Sequence, residues 1–253
     1  MNASATGKRI AVVTGGVGGL GTEICRHLAQ AGCQVIAVDL IASAERLARF
    51  DHAIADLREA ISVESVDVTD FGLCKQLVSR IQAQYGSIDV LVNAAGITRD
   101  ASLRKMTPEQ WHELMQVNLD GVFNMCRNVI EGMIERGFGR IVNIGSVNGQ
   151  TGQFGQTNYS AAKAAVHGFS MALARETASK GITVNTVSPG YCDTQMVAAV
   201  AAEVRQQIIA GIPVGRLGTP GDIARAVSFF SSDDNGYITG ANLPVNGGYF
   251  MSF

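Results

Sequence analysis

The sequence predicts a single α/β domain over residues 1–253, a parallel sheet with helices packed on both faces. Three observations predict it. Apolar strand-like runs alternate with helical patterns along the whole chain, the order that gives parallel strands joined by crossover helices. A glycine-rich turn separates the first such run from the first helix. No Pro/Ser-rich linker and no internal repeat divides the chain, and 253 residues is a length that one α/β core can serve.

The elements follow in order. Arg9-Ile-Ala-Val-Val-Thr14 is a continuous apolar run, as expected of a strand buried on both faces. A helix is expected from about Leu20 to Ala31, stopped by Gly32. Gln34–Val38 reads as the second strand, 42–60 as a helix, Ile61–Val66 as a strand and Phe71–Tyr85 as a helix. Ile88–Asn93 is the next strand. Pro108 then opens one long helix to about Arg136. Arg140–Gly145 and Ile182–Val187 read as strands around a helix over Asn158–Ser179. Helices near 197–210 and 221–231 and a last strand near Asn242–Val245 complete the chain.

Composition excludes several classes of function. A net charge of -2 and no basic run argue against a nucleic-acid partner. The short polar stretch Met1–Arg9 lacks a signal-peptide pattern, and no apolar run reaches the ~20 residues that span a bilayer. A cytoplasmic protein without a membrane partner is expected. Cys25, Cys33, Cys74, Cys126 and Cys192 are odd in number and never form Cys-x-x-Cys, which favours reduced structural thiols. Of these, Cys192 alone lies beside a candidate site loop. His27, His52, His112 and His167 are scattered, so packing or surface roles and no metal are expected.

Thr14-Gly-Gly-Val-Gly-Gly-Leu-Gly21 carries the first chemical signal. Glycine lets main chain approach a pyrophosphate, and the following helix N-terminus offers free N–H groups and partial positive charge. Asp39 closes the second strand, where a carboxylate accepts hydrogen bonds from adenosine ribose hydroxyls and repels a 2′-phosphate. A 2′-phosphate would call for an arginine, and the neighbours Gly16, Val17, Leu40 and Ile41 are uncharged. NAD(H) is therefore expected in preference, with NADP(H) as the alternative. Tyr159-Ser-Ala-Ala-Lys163 carries the second signal. Residues i and i+4 share a helix face, so an ammonium can stand beside a phenol, favour its phenolate and make it an acid/base at neutral pH.

These features together are identified as those of the short-chain dehydrogenase/reductase family, which the sequence resembles along essentially its whole length. The resemblance rests on the Thr14–Gly21 turn, Asp67, Asn93-Ala-Ala-Gly96, Asn118, Ser146, Tyr159, Lys163 and Pro189-Gly190. It implies a Rossmann-type doubly wound sheet in three α/β/α layers and a catalytic tetrad of Asn118, Ser146, Tyr159 and Lys163. Tyr159 would be the general acid/base, and Ser146 would hydrogen-bond the substrate oxygen. Lys163 would lower the phenol pKa and hold the nicotinamide ribose, and Asn118 would fix a relay water. Cofactor contacts are implied for Gly15, Val17, Gly18, Gly19, Leu20, Gly21, Asp39, Asp67, Val68, Asn93, Ala94, Gly96, Tyr159, Lys163, Pro189, Gly190 and Thr194. A homotetramer is implied, with the helices around 105–136 and 158–179 as the usual interface.

Within the family, the chain is most similar to the subgroup that reduces acetoacetyl-CoA in polyhydroxybutyrate synthesis. The similarity lies in Gly96–Asp100, Ser146–Tyr159 and Val187–Tyr191. It implies a 3-oxoacyl-CoA substrate contacted by Ser146, Gln153, Phe154, Gln156 and Tyr191. Amides suit a thioester or pantetheine amide, and Phe154 suits an acyl chain. That subgroup's best-known members use NADPH, whereas Asp39 points to NADH. Three alternatives stay open. A 3-oxoacyl-acyl-carrier-protein reductase would need a basic docking patch, yet 131–140 is mixed in charge. An NAD-linked alcohol or 3-hydroxyacyl dehydrogenase would suit Asp39. A non-catalytic dinucleotide sensor should lack a tetrad member, and none is missing.

Overall fold

The computed structural model describes residues 7–40, 43–193 and 202–251. Seven parallel strands run β1 (Ile10–Thr14), β2 (Gln34–Asp39), β3 (Ile61–Ser65), β4 (Val90–Asn93), β5 (Gly139–Ile144), β6 (Ile182–Pro189) and β7 (Asn242–Val245). Their spatial order is β3-β2-β1-β4-β5-β6-β7, the doubly wound Rossmann-type arrangement. The order reverses between β1 and β4. Chains leaving these neighbouring strands turn to opposite faces of the sheet and open a crevice at their carboxyl ends.

Nine helices connect the strands among the described residues: α1 (Gly19–Gln30), α2 (Ala44–Ala53), α3 (Phe71–Tyr85), α4 (Pro108–Met115), α5 (Gly121–Arg136), α6 (Asn148–Thr151), α7 (Thr157–Thr177), α8 (Ala202–Ala210) and α9 (Pro220–Ser231). None is long and apolar enough to cross a membrane. Strand alternation divides the core in two. Ile10, Val12, Ile36, Leu91 and Ile141 point to the face covered by α3, α5 and α7, where they meet Leu77, Met125, Met133 and Val166. Ala11, Val13, Val35, Val92 and Val142 point to the face covered by α1, α2 and α9, where they meet Ile24, Leu28, Phe50 and Val227. All five cysteines are buried and free, and burial pushes the Cys192 thiol up to about 11. Such a thiol is unreactive at neutral pH.

Most expected elements agree within two residues, and three differ. The helix expected over 42–60 ends at Ala53, after which a single 3-10 turn, Ala55–Leu57, leads to β3. The long helix over 108–136 is interrupted at Gln116–Asp120 by a wide π-type turn, closed where Gly121 N–H donates to the Gln116 carbonyl five residues back. Such insertions change which side chains face inward. Here the turn brings Asn118 to full burial, and a Cβ on Gly121 would stand 2.8 Å from Val68 Cγ2. The third difference is α6, a single helical turn between β5 and α7 where no element was expected. The expected helix near 197–210 is described from Ala202 onward.

Two observations fix the crevice. Thr14 Oγ1 accepts hydrogen bonds from the amides of both Ala94 and Ala95, each at 3.2 Å, pinning the loop after β4 to the end of β1. A buried polar chain then carries the register across the sheet. Asn93 Nδ2 donates to Asn143 Oδ1 (2.8 Å), Asn143 Nδ2 to Ser170 Oγ on α7 (2.9 Å), and Thr186 Oγ1 to the same Ser170 Oγ (3.0 Å). A Thr14→Val exchange keeps the shape but leaves two amides without their acceptor. We expect it to destabilise the chain by about 2–4 kcal/mol, with Thr14→Ser close to the parent, as read from urea unfolding.

Candidate active site

The crevice begins at the turn after β1. Gly15 has φ +65°, and a Cβ there would stand 2.7 Å from the Ala94 carbonyl oxygen. A Cβ on Gly21 would lie only 2.1 Å from the Gly15 carbonyl oxygen. The turn is therefore tight because nothing but hydrogen fits between its strands. Helix α1 follows from the N-cap Gly18 with no side-chain cap and no acidic residue in its first turn. Its leading amides, at Gly19, Leu20 and Gly21, thus face the crevice without a competing anion of the chain. A glycine cradle at an uncapped helix N-terminus is what a pyrophosphate needs, so these residues fit a dinucleotide.

At the other end of this slot stands Asp39, 7% exposed. Its Oδ2 accepts from the Val17 amide (3.1 Å) and from Arg46 Nη2 (2.8 Å). Burial pushes the carboxyl up, while Arg46 and the Val17 and Leu40 amides pull it down. The expectation that no arginine lies near Asp39 is corrected here. Arg46, in the first turn of α2, stands over the strand end. Asp67 closes the slot from the β3 side. Its Oδ1 accepts from Thr69 N (2.9 Å) and Thr69 Oγ1 (2.8 Å), and the Val68 carbonyl is held by Asn124 Nδ2 at 2.8 Å. Asn93 and Ala94 line the middle, and Asn93 Oδ1 is a buried acceptor without a partner among the described residues. Pro189 ends β6, and the Gly190 amide donates to the Val245 carbonyl at 3.0 Å. Thr194 lies outside the described residues.

The tetrad residues converge beyond the strand ends. The Lys163 ammonium is 4% exposed, donates to the Ile144 carbonyl at 2.8 Å and lies 5.8 Å from the Tyr159 ring centre. Burial pulls it down to about 8. Burial is also the largest influence on the Tyr159 phenol and pushes it up. A hydrogen bond with Ser146 opposes that rise, and Asp100 adds to it. The expected lowering of the phenol by Lys163 is not among these influences, and burial prevails. Ser146 Oγ also accepts from the Asn148 amide (3.1 Å). Asn118 Oδ1 accepts from Ile97 N (2.8 Å), and its Nδ2 donates to the Ile97 carbonyl (3.0 Å). Its side chain therefore fixes the 96–97 loop. A Cβ on Gly96 would come 3.4 Å from Asn118 Oδ1 and 3.8 Å from Lys163 Nζ.

The substrate-side residues divide. Phe154 is 90% exposed at the rim. Tyr191 OH donates weakly to Gln153 Oε1 at 3.5 Å, spanning the mouth. Gln156 is engaged elsewhere. Its Oε1 accepts from Asn148 Nδ2 and its Nε2 donates to Asp100 Oδ2, both at 2.9 Å, so it braces the rim. Two residues not expected at the site from the sequence join it, one of them His167, expected in a packing or surface role. Tyr249 packs edge-on against Tyr191, with ring centres 5.4 Å apart. His167 Nε2 lies 3.0 Å from Ser188 Oγ, whose proton goes to Asn242 Oδ1 at 2.7 Å, so His167 is the donor. Burial and then Lys163 pull His167 down, keeping the imidazole neutral. The i, i+4, i+8 spacing of Tyr159, Lys163 and His167 was the signal that could have found it.

A sequence profile described as enoyl-(acyl carrier protein) reductase matches residues 16–250. The chain belongs to the short-chain dehydrogenase/reductase family. It is accordingly an oxidoreductase acting on a CH–OH group with NAD(P)(H). It is 54% identical to an acetoacetyl-CoA reductase of Allochromatium vinosum over 96% of this chain and 99% of that protein. It is 50% identical to an acetoacetyl-CoA reductase of Cupriavidus necator, again over 96% and 99%. A 3-oxoacyl-[acyl-carrier-protein] reductase of Escherichia coli is 44% identical over 96% of this chain and 98% of that protein.

Two outcomes follow from this geometry. Gly21→Ala forces a methyl group into the Gly15 carbonyl. Dinucleotide affinity should fall at least roughly tenfold, read by titration calorimetry. Lys163 bears on stability. Its native value of about 8 lies below its ordinary 10.5, so between these values the unfolded chain holds a proton that the native chain has released. Unfolding free energy from this group therefore rises with pH across that window, by about 3 kcal/mol in all. Chemical denaturation at pH 8 and pH 10.5 should show that gain, and Lys163→Met should lose it.

Proposed function

We propose that this chain reduces acetoacetyl-CoA, and 3-oxoacyl-CoA thioesters like it, to the (R)-3-hydroxyacyl-CoA, with NADH preferred and NADP(H) the lesser cofactor. The observation that carries this reading is the convergence of Ser146, Tyr159 and Lys163 beside a rim of Gln153, Phe154 and Tyr191. The names of the more similar relatives support the same substrate. The reaction would supply the monomer for polyhydroxybutyrate synthesis.

The dinucleotide, when bound, supplies the hydride. The Gly15, Val17, Gly18, Gly19, Leu20 and Gly21 turn would hold its pyrophosphate, Asp39 its adenosine ribose, and Asp67 and Val68 its adenine. Asn93, Ala94, Gly96, Pro189, Gly190 and Thr194 would border the rest. Ser146 Oγ donates a hydrogen bond to the substrate carbonyl oxygen and orients it. Tyr159 passes its phenolic proton to that oxygen as the alkoxide forms. The Lys163 ammonium then faces a phenolate and stabilises it by charge attraction, which reverses the effect of burial on the phenol. Asn118 holds the 96–97 loop in place for both groups.

The alternative of a carrier-protein substrate draws less support. Arg99, Arg127 and Arg136 pair with Glu113, Glu131 and Asp89, so none of these three offers a carrier protein a free cation. A homotetramer through α5 and α7 is supported by apolar side chains on their outer surfaces, Phe123 at 48% and Met171 at 52% exposure. We place the enzyme in the cytoplasm.

The test is the initial rate with acetoacetyl-CoA, NADH and NADPH being compared at equal concentration. Turnover with NADH ahead is expected. Tyr159→Phe should reduce turnover roughly 10²–10⁴-fold and leave NADH binding largely intact. Full turnover by that variant would overturn the acid/base assignment.

A further inference from the structure

Among the described residues, Arg46 is the one arginine that pairs with Asp39. It stands in the first turn of α2, where its own amide is capped by Ser43 Oγ at 3.2 Å. Its side chain is 34% exposed, while that of Asp39 is 8% exposed, so the arginine covers the carboxylate from the solvent side. A Cβ on Gly18 would stand 3.5 Å from Arg46 Nη2. The guanidinium therefore hangs between the phosphate turn and the end of β2. On the reading given above, that gap is where the adenosine ribose lies.

This placement changes the electrostatics of the slot. A bare Asp39 would present a full negative charge to a ribose 2′-phosphate and repel it. The Asp39–Arg46 pair is neutral as a whole. Only Nη2 is recorded on Asp39, and a guanidinium carries five N–H donors in a planar fork. A long, partly exposed side chain of this kind can turn about its own torsions at little cost. It can also meet a phosphate with two parallel hydrogen bonds, a stronger contact than the single one to Asp39.

We propose that Arg46 is a coenzyme-selecting residue, a movable counter-ion that stays on Asp39 when the ribose is unphosphorylated and turns to the 2′-phosphate when it is not. Asp39 then favours NAD(H) through the ribose hydroxyls, and Arg46 keeps the site open to NADP(H). The inference rests on the reading that Asp39 marks the ribose end of the dinucleotide site.

The experiment is direct binding to the full chain by titration calorimetry, with NADH, NADPH, 5′-AMP and adenosine 2′,5′-bisphosphate as probes. Arg46→Gln should lower the NADPH-to-NADH affinity ratio by roughly tenfold or more. It should lower the bisphosphate-to-AMP ratio alike. Arg46→Lys should recover most of the loss. Raising the salt should weaken NADPH more than NADH in the parent, and this difference should shrink in Arg46→Gln. An unchanged ratio in Arg46→Gln, with normal circular dichroism, would overturn the proposal. Asp39→Asn separates the two readings. If it alters neither dinucleotide's affinity, the ribose assignment falls, and the Arg46 proposal with it. If it weakens NADH as expected while Arg46→Gln leaves the ratio intact, only the Arg46 proposal falls.

Discussion

Everything in this molecule that can do chemistry depends on holding two diverging loops together at the β1/β4 switch. The chain leaves β1 toward one face and β4 toward the other, so their ends would part if nothing linked them. The link is the Thr14 hydroxyl, which accepts from two successive amides, Ala94 and Ala95. It works together with Gly15, whose missing side chain lets the Ala94 carbonyl come close. Two half-buried amides with one shared acceptor form a high-stakes contact, because a donor left unsatisfied out of water costs more than a satisfied one contributes. The phosphate cradle lies on one side of this link and the 94–97 loop on the other.

The acid/base pair is positioned by a second polar device, set deeper. Asn93, Asn143, Ser170 and Thr186 form a dry hydrogen-bonded chain across β4, β5, α7 and β6. Because Ser170 lies on the same helix as Tyr159 and Lys163, the chain sets the height of α7 against the sheet. A hydrophobic contact would tolerate sliding, whereas hydrogen-bond geometry does not. The Lys163 bond to the Ile144 carbonyl then fixes the ammonium itself. Burial pulls the lysine down to about 8 and pushes the tyrosine up, so each is driven toward its neutral form. Such groups respond strongly to any charge that develops beside them.

The adenosine end shows another use of burial. Asp39 is almost fully covered, and its charge is tolerated because two amides and Arg46 surround it. The substrate end is organised more loosely. Gln156, Asn148 and Asp100 tie the rim together by side-chain amides, while Phe154 projects freely. A braced rim with one free aromatic ring suits a site that must admit a long, flexible thioester and still orient its reacting carbonyl.

The sequence by itself determined the layered fold, the order of strands and helices, the glycine turn and the Tyr159–Lys163 pair. These rest on local signals: apolar runs, hydrophobic period, helix-stop glycines and i, i+4 spacing, which any segment carries without reference to the rest. The tertiary structure decided what required distant segments to meet. Asn118 turned inward because a π-type turn rotated it, and no local periodicity announces one extra residue in a helix. Gln156 proved to be a brace because Asp100 and Asn148 came to it from separate loops. Tyr249 reached Tyr191 from the far end of the chain. Arg46 met Asp39 only because the first turn of α2 packs beside the end of β2. Pattern along a chain encodes which groups a segment offers; which charge neutralises which, and at what cost in burial, is a property of the packed molecule alone.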